Sequence, residues 1–296
     1  MKFLSRLYLA LIFLGITIVA SFSQNAIIER DNITPSTSLP LPLPLPLPLP
    51  YHLDPNSKIK APNPASVPAI RFLSSTDFFP FNYRNSSGSL VGYNIDLSNE
   101  ICALLDISCT MQAWPWEQIT NALKDNQGDA LIAGLAISNE SASQFDFSNI
   151  YLMLPARFII QKSNKNLFDA NNLENKKIAV IANSAHAKYL SKYFISVEQV
   201  IFDSELEALN SLQNGETFAY FGDGMRTSFW LNENINCCEF AGEAYFSSTY
   251  FGEGMSIAFP LEREAVRKAI NYSLAQLKRN GKLDELYLRW FPISFY

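Results

Sequence analysis

From residue 69 onward the chain alternates short apolar runs with stretches in which apolar side chains return every three or four positions. The first pattern is that of strands buried in a sheet, the second that of helices with one covered face. Ala69 to Ser74 predicts a strand, Tyr93 to Leu105 a helix carrying Ile95, Leu97, Ile101 and Leu104 on one side, and Cys109 to Gln112 a strand. Trp116 to Lys124 predicts a helix and Asp129 to Leu135 a strand. After Pro155 the alternation returns, with strands at Arg157 to Gln161, Lys177 to Ile181, Gln199 to Phe202 and Phe218 to Phe221. Helices are expected at Ala185 to Tyr193 and Glu205 to Asn214, and a helix or helix pair closes the chain from Glu262 to Trp290. This order predicts an α/β fold with mostly parallel sheets, and its repetition suits two α/β lobes.

The first 68 residues follow neither pattern. Residues 1–23 hold Lys2 and Arg6, an apolar run from Leu7 to Ala20, and then Ser21 and Ser23. A basic start, a short apolar stretch and small residues make a secretory signal peptide. The run is shorter than the roughly 20 residues that cross a bilayer, so cleavage is expected over anchoring. Residues 24–68 read as a Pro-rich linker with six consecutive Leu-Pro units from Leu39 to Pro50. Proline fixes φ and removes a donor, which favours an extended polyproline II spacer. The same stretch also reads as a low-complexity linker without further role.

Composition narrows the function. The chain is 48% hydrophobic and 17% charged with a net charge of −5, and its Lys and Arg are scattered, so nucleic acid is not expected as a partner. Four cysteines in an exported chain invite disulfides. Cys102 falls late in a predicted helix and Cys109 at the start of the next strand, within reach of each other. Cys237 and Cys238 are adjacent, which leaves a vicinal disulfide and two free thiols both open. No His or second Cys pair has zinc-ligand spacing, so neither metal nor cofactor is expected. His52 lies in the linker and His186 in the folded part, too little for a Ser/His/Asp or Cys/His constellation.

The order of motifs resembles the bacterial extracellular solute-binding proteins of family 3, the amino-acid receptors of ATP-driven importers, with the pattern of histidine-binding and lysine/arginine/ornithine-binding proteins nearest. The likeness begins with Pro80, Phe81, Gly88 and the run Leu90, Val91, Gly92, Tyr93, Asn94, Ile95, Asp96, Leu97. It continues through Cys102 and Cys109, Pro115 to Leu123, Gly128 with Asp129 and Ala130, Phe147 to Tyr151, Lys176 with Lys177, and Gly281 to Phe291. The resemblance implies a periplasmic-binding-protein-like type II fold, two α/β lobes joined by a two-strand hinge. Lobe one would take residues 69–155 plus 254–296 and lobe two residues 156–253. It also implies a periplasmic monomer that binds a small-molecule ligand and delivers it to an inner-membrane ABC permease without catalysis.

Site positions follow from the resemblance one at a time. Phe78 matches the aromatic that stacks on the ligand and Trp116 a pocket-lining side chain. Asp223 matches the lobe-two aspartate that pairs with an ammonium group. Ser184 matches a lobe-two hydroxyl near the ligand carboxylate, although a helix N-cap explains it equally well. Where the family has Thr-Xaa-Xaa-Arg, the chain reads Ser138, Asn139, Glu140, Ser141, so Ser138 keeps the hydroxyl and Ser141 replaces the carboxylate-gripping arginine. Ala136 likewise replaces a serine. Arg157 or Arg226 could supply a relocated guanidinium; otherwise the ligand carries no carboxylate and is an amine or other cation attracted by Asp223 and aromatic faces.

Two further readings come from the same resemblance. An exported accessory protein could dock a quinoprotein-type dehydrogenase, with Tyr245, Phe246, Tyr250 and Phe251 covering the partner or else packing at the hinge. An enzyme similar to cyclohexadienyl dehydratases would use Glu140 or Asp223 as its acid, but would need the missing cation.

Overall fold

The computed structural model describes residues 60–63, 66–67 and 69–296. The expected signal peptide and nearly all of the Pro-rich linker lie outside the described residues. The first half contributes β1 (Ala69–Ser74), β2 (Asp77–Phe78), β3 (Asn82–Arg84), β4 (Leu90–Val91), α1 (Tyr93–Leu105), β5 (Ser108–Ala113), α2 (Trp116–Lys124), β6 (Ala130–Leu131), α3 (Asn139–Ala142) and β7 (Phe145–Phe147). Then come β8 (Ala156–Gln161), β9 (Lys177–Ile181), α4 (Ala185–Tyr193), β10 (Glu198–Phe202), α5 (Glu205–Gln213), β11 (Ala219–Asp223), α6 (Gly224–Glu233) and β12 (Cys238–Tyr245). The chain closes with α7 (Ser248–Phe251), β13 (Ala258–Pro260), α8 (Glu264–Arg279) and α9 (Lys282–Trp290).

Two five-stranded sheets result, in the orders β5-β1-β6-β13-β7 and β10-β9-β11-β8-β12. Each sheet has three parallel strands beside an antiparallel one: β13 runs against β6, and β8 against β11. The chain leaves the first sheet after β7 and returns after β12. These two crossover segments meet at Leu152 and Met255, where the Tyr151 and Met255 amides donate to the Met255 and Leu152 carbonyls at 2.9 and 2.7 Å.

Alternation along the strands explains the layers. In β1, Ile70 and Phe72 pack with Leu97, Ile101, Ile270 and Leu274, while Leu73 faces Ile119, Leu123 and Leu131 on the other side. In the second sheet Phe158, Val180 and Phe221 pack with Tyr189 and Leu190, whereas Ile159, Ala179 and Tyr220 face Leu209 and Leu212. Both sheets are therefore buried on both faces, as parallel strands require.

Differences from the sequence expectation have local causes. The strand expected over Asp129 to Leu135 shrinks to β6, because Asp129 turns its carboxylate onto the Arg71 guanidinium at 3.0 Å and Gly134 adopts φ +77°. The closing helical stretch divides at Gly281, whose φ of +78° ends α8. Helix α6 and strand β12 carry no clean period and were not legible. Cys102 is bonded to Cys109, tying α1 to β5, and Cys237 is bonded to Cys238, which removes the free-thiol alternative. Closing the Cys102 loop is worth about 2.5 kcal/mol of chain entropy. Tyr245 is buried among Phe158, Phe194 and Phe221, Tyr250 packs on Tyr189, and Phe246 stacks with Tyr296. Tyr245 thus belongs to the protein's own core, and Phe246 and Tyr250 are partly buried against its own side chains.

Candidate functional site

Open α/β sheets take ligands beyond the carboxyl ends of their parallel strands. In the first sheet those ends lead into Asp77 and Phe78 after β1, Trp116 after β5, and the segment 132–138 after β6. In the second they lead into Ser184 after β9, Glu205 after β10, and Asp223 at the end of β11. Phe79 packs against α6, its ring centroid 5.4 Å from that of Phe229. The same helix begins beside Asp223.

The rim of the first sheet is aromatic. Phe78 is half-buried with its ring 4.8 Å from Phe81. A Cβ at Gly134 would stand 2.6 Å from the Phe78 ring, and the positive φ of that residue also requires glycine. The loop after β6 thus packs closely against the Phe78 ring. Phe79 and Trp116 are 57% and 43% exposed, so large apolar surface remains open at the rim. Ser138 is committed: its hydroxyl accepts from the Ser141 amide at 3.1 Å while the Ser141 hydroxyl accepts from the Ser138 amide at 2.9 Å. The Ser141 hydroxyl donates to the Ala136 carbonyl at 2.7 Å, so position 141 holds the loop together and offers no charge.

The rim of the second sheet is charged. Asp223 caps α6 by accepting from the Arg226 amide at 3.0 Å. Burial raises its pKa, Glu205 pushes the same way, and the Arg226 amide and guanidinium oppose them. Arg226 is spent on Glu205, 3.2 Å away, which also accepts from the Tyr220 hydroxyl at 3.1 Å. Ser184 caps α4: it accepts from the Ala187 amide at 3.0 Å and donates to the Ile181 carbonyl at 2.7 Å. Arg157 is 7% exposed and points its guanidinium at the Phe295 and Gly242 carbonyls, each at 3.1 Å, over the ring of Phe240. Both arginines suggested as replacements for the family's guanidinium therefore have other partners.

Two groups near the rim escaped the sequence reading as site residues. His186, in the first turn of α4, stacks on Phe251 at 4.9 Å; burial, helped by Arg226, lowers its pKa to about 4 and keeps the imidazole neutral. Its only sequence signal is its position two residues after Ser184. Glu205 reads in sequence as an ordinary helix start, and only the tertiary fold sets it beside Arg226. Among the described residues no group of three His, Cys, Asp or Glu side chains could hold a metal ion.

The sequence profile of the bacterial extracellular solute-binding proteins, family 3, matches residues 70–293. The chain belongs to that family. Among its curated relatives, the putative ABC transporter arginine-binding protein 2 of Escherichia coli (strain K12) is 28% identical over 222 residues, 75% of this chain and 90% of the relative. The lysine/arginine/ornithine-binding periplasmic protein of the same organism is 25% identical, over 78% of this chain and 91% of the relative. The L-cystine solute receptor of Neisseria gonorrhoeae, solved in its unliganded open conformation, shares the fold with a TM-score of 0.68 at 17% identity, covering 77% of this chain and 94% of the receptor. The architecture of this family 3 protein is accordingly periplasmic-binding-protein-like type II, two α/β lobes joined by two crossover strands.

Proposed function

We propose that this family 3 protein is the binding component of an ABC importer and that its ligand is a small cationic solute held without a guanidinium on its carboxylate side. The reading rests above all on Asp223, a carboxylate set at the end of β11 with its pKa raised by burial. An incoming cation would repay that cost. Phe78 on the opposite rim offers a ring face, which attracts positive charge through its quadrupole. The arginine-binding and lysine/arginine/ornithine-binding relatives support a cationic ligand class. Ser141, tied to Ala136, argues against the usual grip on a carboxylate.

Residues 69–155 plus 254–296 and 156–253 would move as the two lobes, with the crossovers absorbing the change on closure. The protein would act in the periplasm, as a monomer meeting an inner-membrane permease, and would bind and release its ligand unchanged. His186, the one histidine among the described residues, is stacked on Phe251 with its basicity lowered by burial, which supports a role without proton transfer.

The test is calorimetric titration with arginine and with agmatine, its decarboxylated counterpart. Agmatine is expected to bind at least as tightly as arginine. Arginine binding more than about a hundredfold tighter would mean roughly 2.7 kcal/mol from a held carboxylate and would defeat the carboxylate-free reading. If neither binds, the cationic ligand itself is wrong.

A further inference from the structure

A cavity of about 300 Å³ lies behind the crossovers, on the α8 and α9 side of the first lobe. Its wall is built from four tyrosines: Tyr93 of α1, Tyr151 of the first crossover, Tyr287 of α9 and the final residue, Tyr296. The cavity opens to solvent beside Leu288 and Asp284, and its volume exceeds the about 150 Å³ that suffices for benzene in an enclosed apolar cavity. Polar surface within it is largely settled. Tyr151 donates to the Asn94 side chain at 2.7 Å, Tyr287 accepts from the Phe295 amide at 3.0 Å, and Tyr296 donates to the Met153 carbonyl at 2.9 Å. At the mouth Lys278 and Asp284 neutralise each other at 2.6 Å.

Tyr93 is the exception. Its ring is buried and its hydroxyl makes no hydrogen bond to any described residue, yet that hydroxyl is not among the buried unpaired atoms, because it is reached from the open cavity. Burial raises its pKa, and the other groups that act on it, Asp284 and Tyr287, both belong to the cavity wall. The phenol O–H of Tyr93 therefore faces the cavity, where water can pair with it. A compound that fills the cavity displaces that water, and unless it supplies an acceptor it leaves the Tyr93 donor buried and unpaired, which is costly.

We propose that this tyrosine-lined cavity is a second small-molecule site, taking an uncharged, ring-bearing compound with one carbonyl or similar acceptor that pairs with Tyr93. The aromatic walls supply ring contacts, the settled hydroxyls and the Lys278–Asp284 pair leave no call for charge, and the volume suits one substituted ring. The site borders the hinge directly: Leu152 lines it and bridges to Met255, and Tyr296 holds both polar groups of Met153. A compound there touches the crossover without entering the cleft that holds Asp223.

Acetophenone and ethylbenzene test this, since they match in shape and differ in the carbonyl. With the ¹⁵N-labelled chain, acetophenone at about 10 mM, enough to saturate a site with a Kd of about 1 mM, is expected to shift amides at 151–153, 283–288 and 294–296. Ethylbenzene should bind about three- to tenfold more weakly, the range of one ordinary hydrogen bond, and Tyr93→Phe should erase that preference. Shifts located elsewhere, no shifts at all, equal affinity for the two probes, or a preference that survives Tyr93→Phe each overturn the proposal. If Tyr93→Phe does not fold, the ratio of the two affinities and the position of the shifts in the unaltered chain decide it. The measurement is independent of the cleft ligand, so its failure leaves the cationic reading untouched.

Discussion

The two rims of the cleft are built alike and equipped differently. Each is formed where three parallel strands end, yet the first rim offers Phe78, Phe79 and Trp116 with serines locked into a helix cap, while the second offers Asp223, Glu205 and Arg226. The hydroxyls that resemble ligand contacts on either side, Ser138 and Ser184, both hold helix N-termini. On the proposed reading, what remains for a ligand is the Phe78 ring on one rim and the Asp223 carboxylate on the other. Asp223 spends one oxygen on its own helix, and an ionised carboxylate has about four acceptor positions, so capacity remains. Such a division of labour suits a cation, which needs charge from one side and desolvation from the other.

The comparison breaks most severely at Asp223. Asp223→Asn should weaken the binding of a cationic ligand by a hundredfold or more, since losing one member of a buried charge pair costs about 2 to 5 kcal/mol. The unliganded protein should not suffer, because Asn caps helices as well as Asp does. The raised pKa carries the same sign: the folded state holds a proton on Asp223 more readily than the unfolded state, so charging that group costs stability once pH rises through the folded value. A melting temperature at neutral pH that is equal or higher, together with lost calorimetric binding, is the expected pair of results. Cation affinity should likewise fall on acidification through the Asp223 pKa. A variant that melts far lower and binds normally would assign Asp223 to the fold alone.

Ser141→Arg sharpens the contrast from the other rim by returning a guanidinium. It should favour arginine over agmatine by roughly tenfold or more, reflecting a charge-assisted hydrogen bond of about 1.5 to 3 kcal/mol. Loss of the reciprocal Ser138–Ser141 cap should lower stability by about 1 kcal/mol. An unchanged arginine-to-agmatine ratio would show that position 141 does not face the ligand. Phe78→Ala comes next: removing the ring face should cost about tenfold in cation affinity, within the 0.5 to 2 kcal/mol span of cation–π contacts, with the Asp223 side intact.

The alternating layers were legible in the sequence because both sheets are buried on both faces. Strand β1, helix α1, helix α2, strand β9 and helix α4 fall where periodicity predicts them. What escaped was set by tertiary contact. Helix α6 has no clean apolar stripe because Met225 and Phe229 pack into the first core while Leu231 packs into a cluster of the second sheet. The fate of Arg157 was equally hidden, since its partners Gly242 and Phe295 lie 85 and 138 residues away. Asp223 was placed by family resemblance, whereas Glu205 beside it had no local signal at all. The tyrosine cavity draws on α1, the first crossover, α9 and the last residue, a set that no sequence window contains.

Ser184 gives the smallest effect and the finest discrimination between a rim that binds and a rim that merely supports. Its hydroxyl has one proton to donate, and the Ile181 carbonyl takes it at 2.7 Å, while the Ala187 amide occupies the oxygen at 3.0 Å. Ser184→Ala should therefore lower stability by about 1 kcal/mol through the lost cap, and change ligand affinity by less than about twofold. Ser184→Asn should restore the stability, because Asn caps comparably and the helix asks only for an acceptor. If Ser184→Ala instead weakened binding tenfold with no loss of melting temperature, the hydroxyl would belong to the ligand in the closed form. The second rim would then offer a neutral hydrogen bond beside its charge, and the ligand would have to carry a polar group matching it.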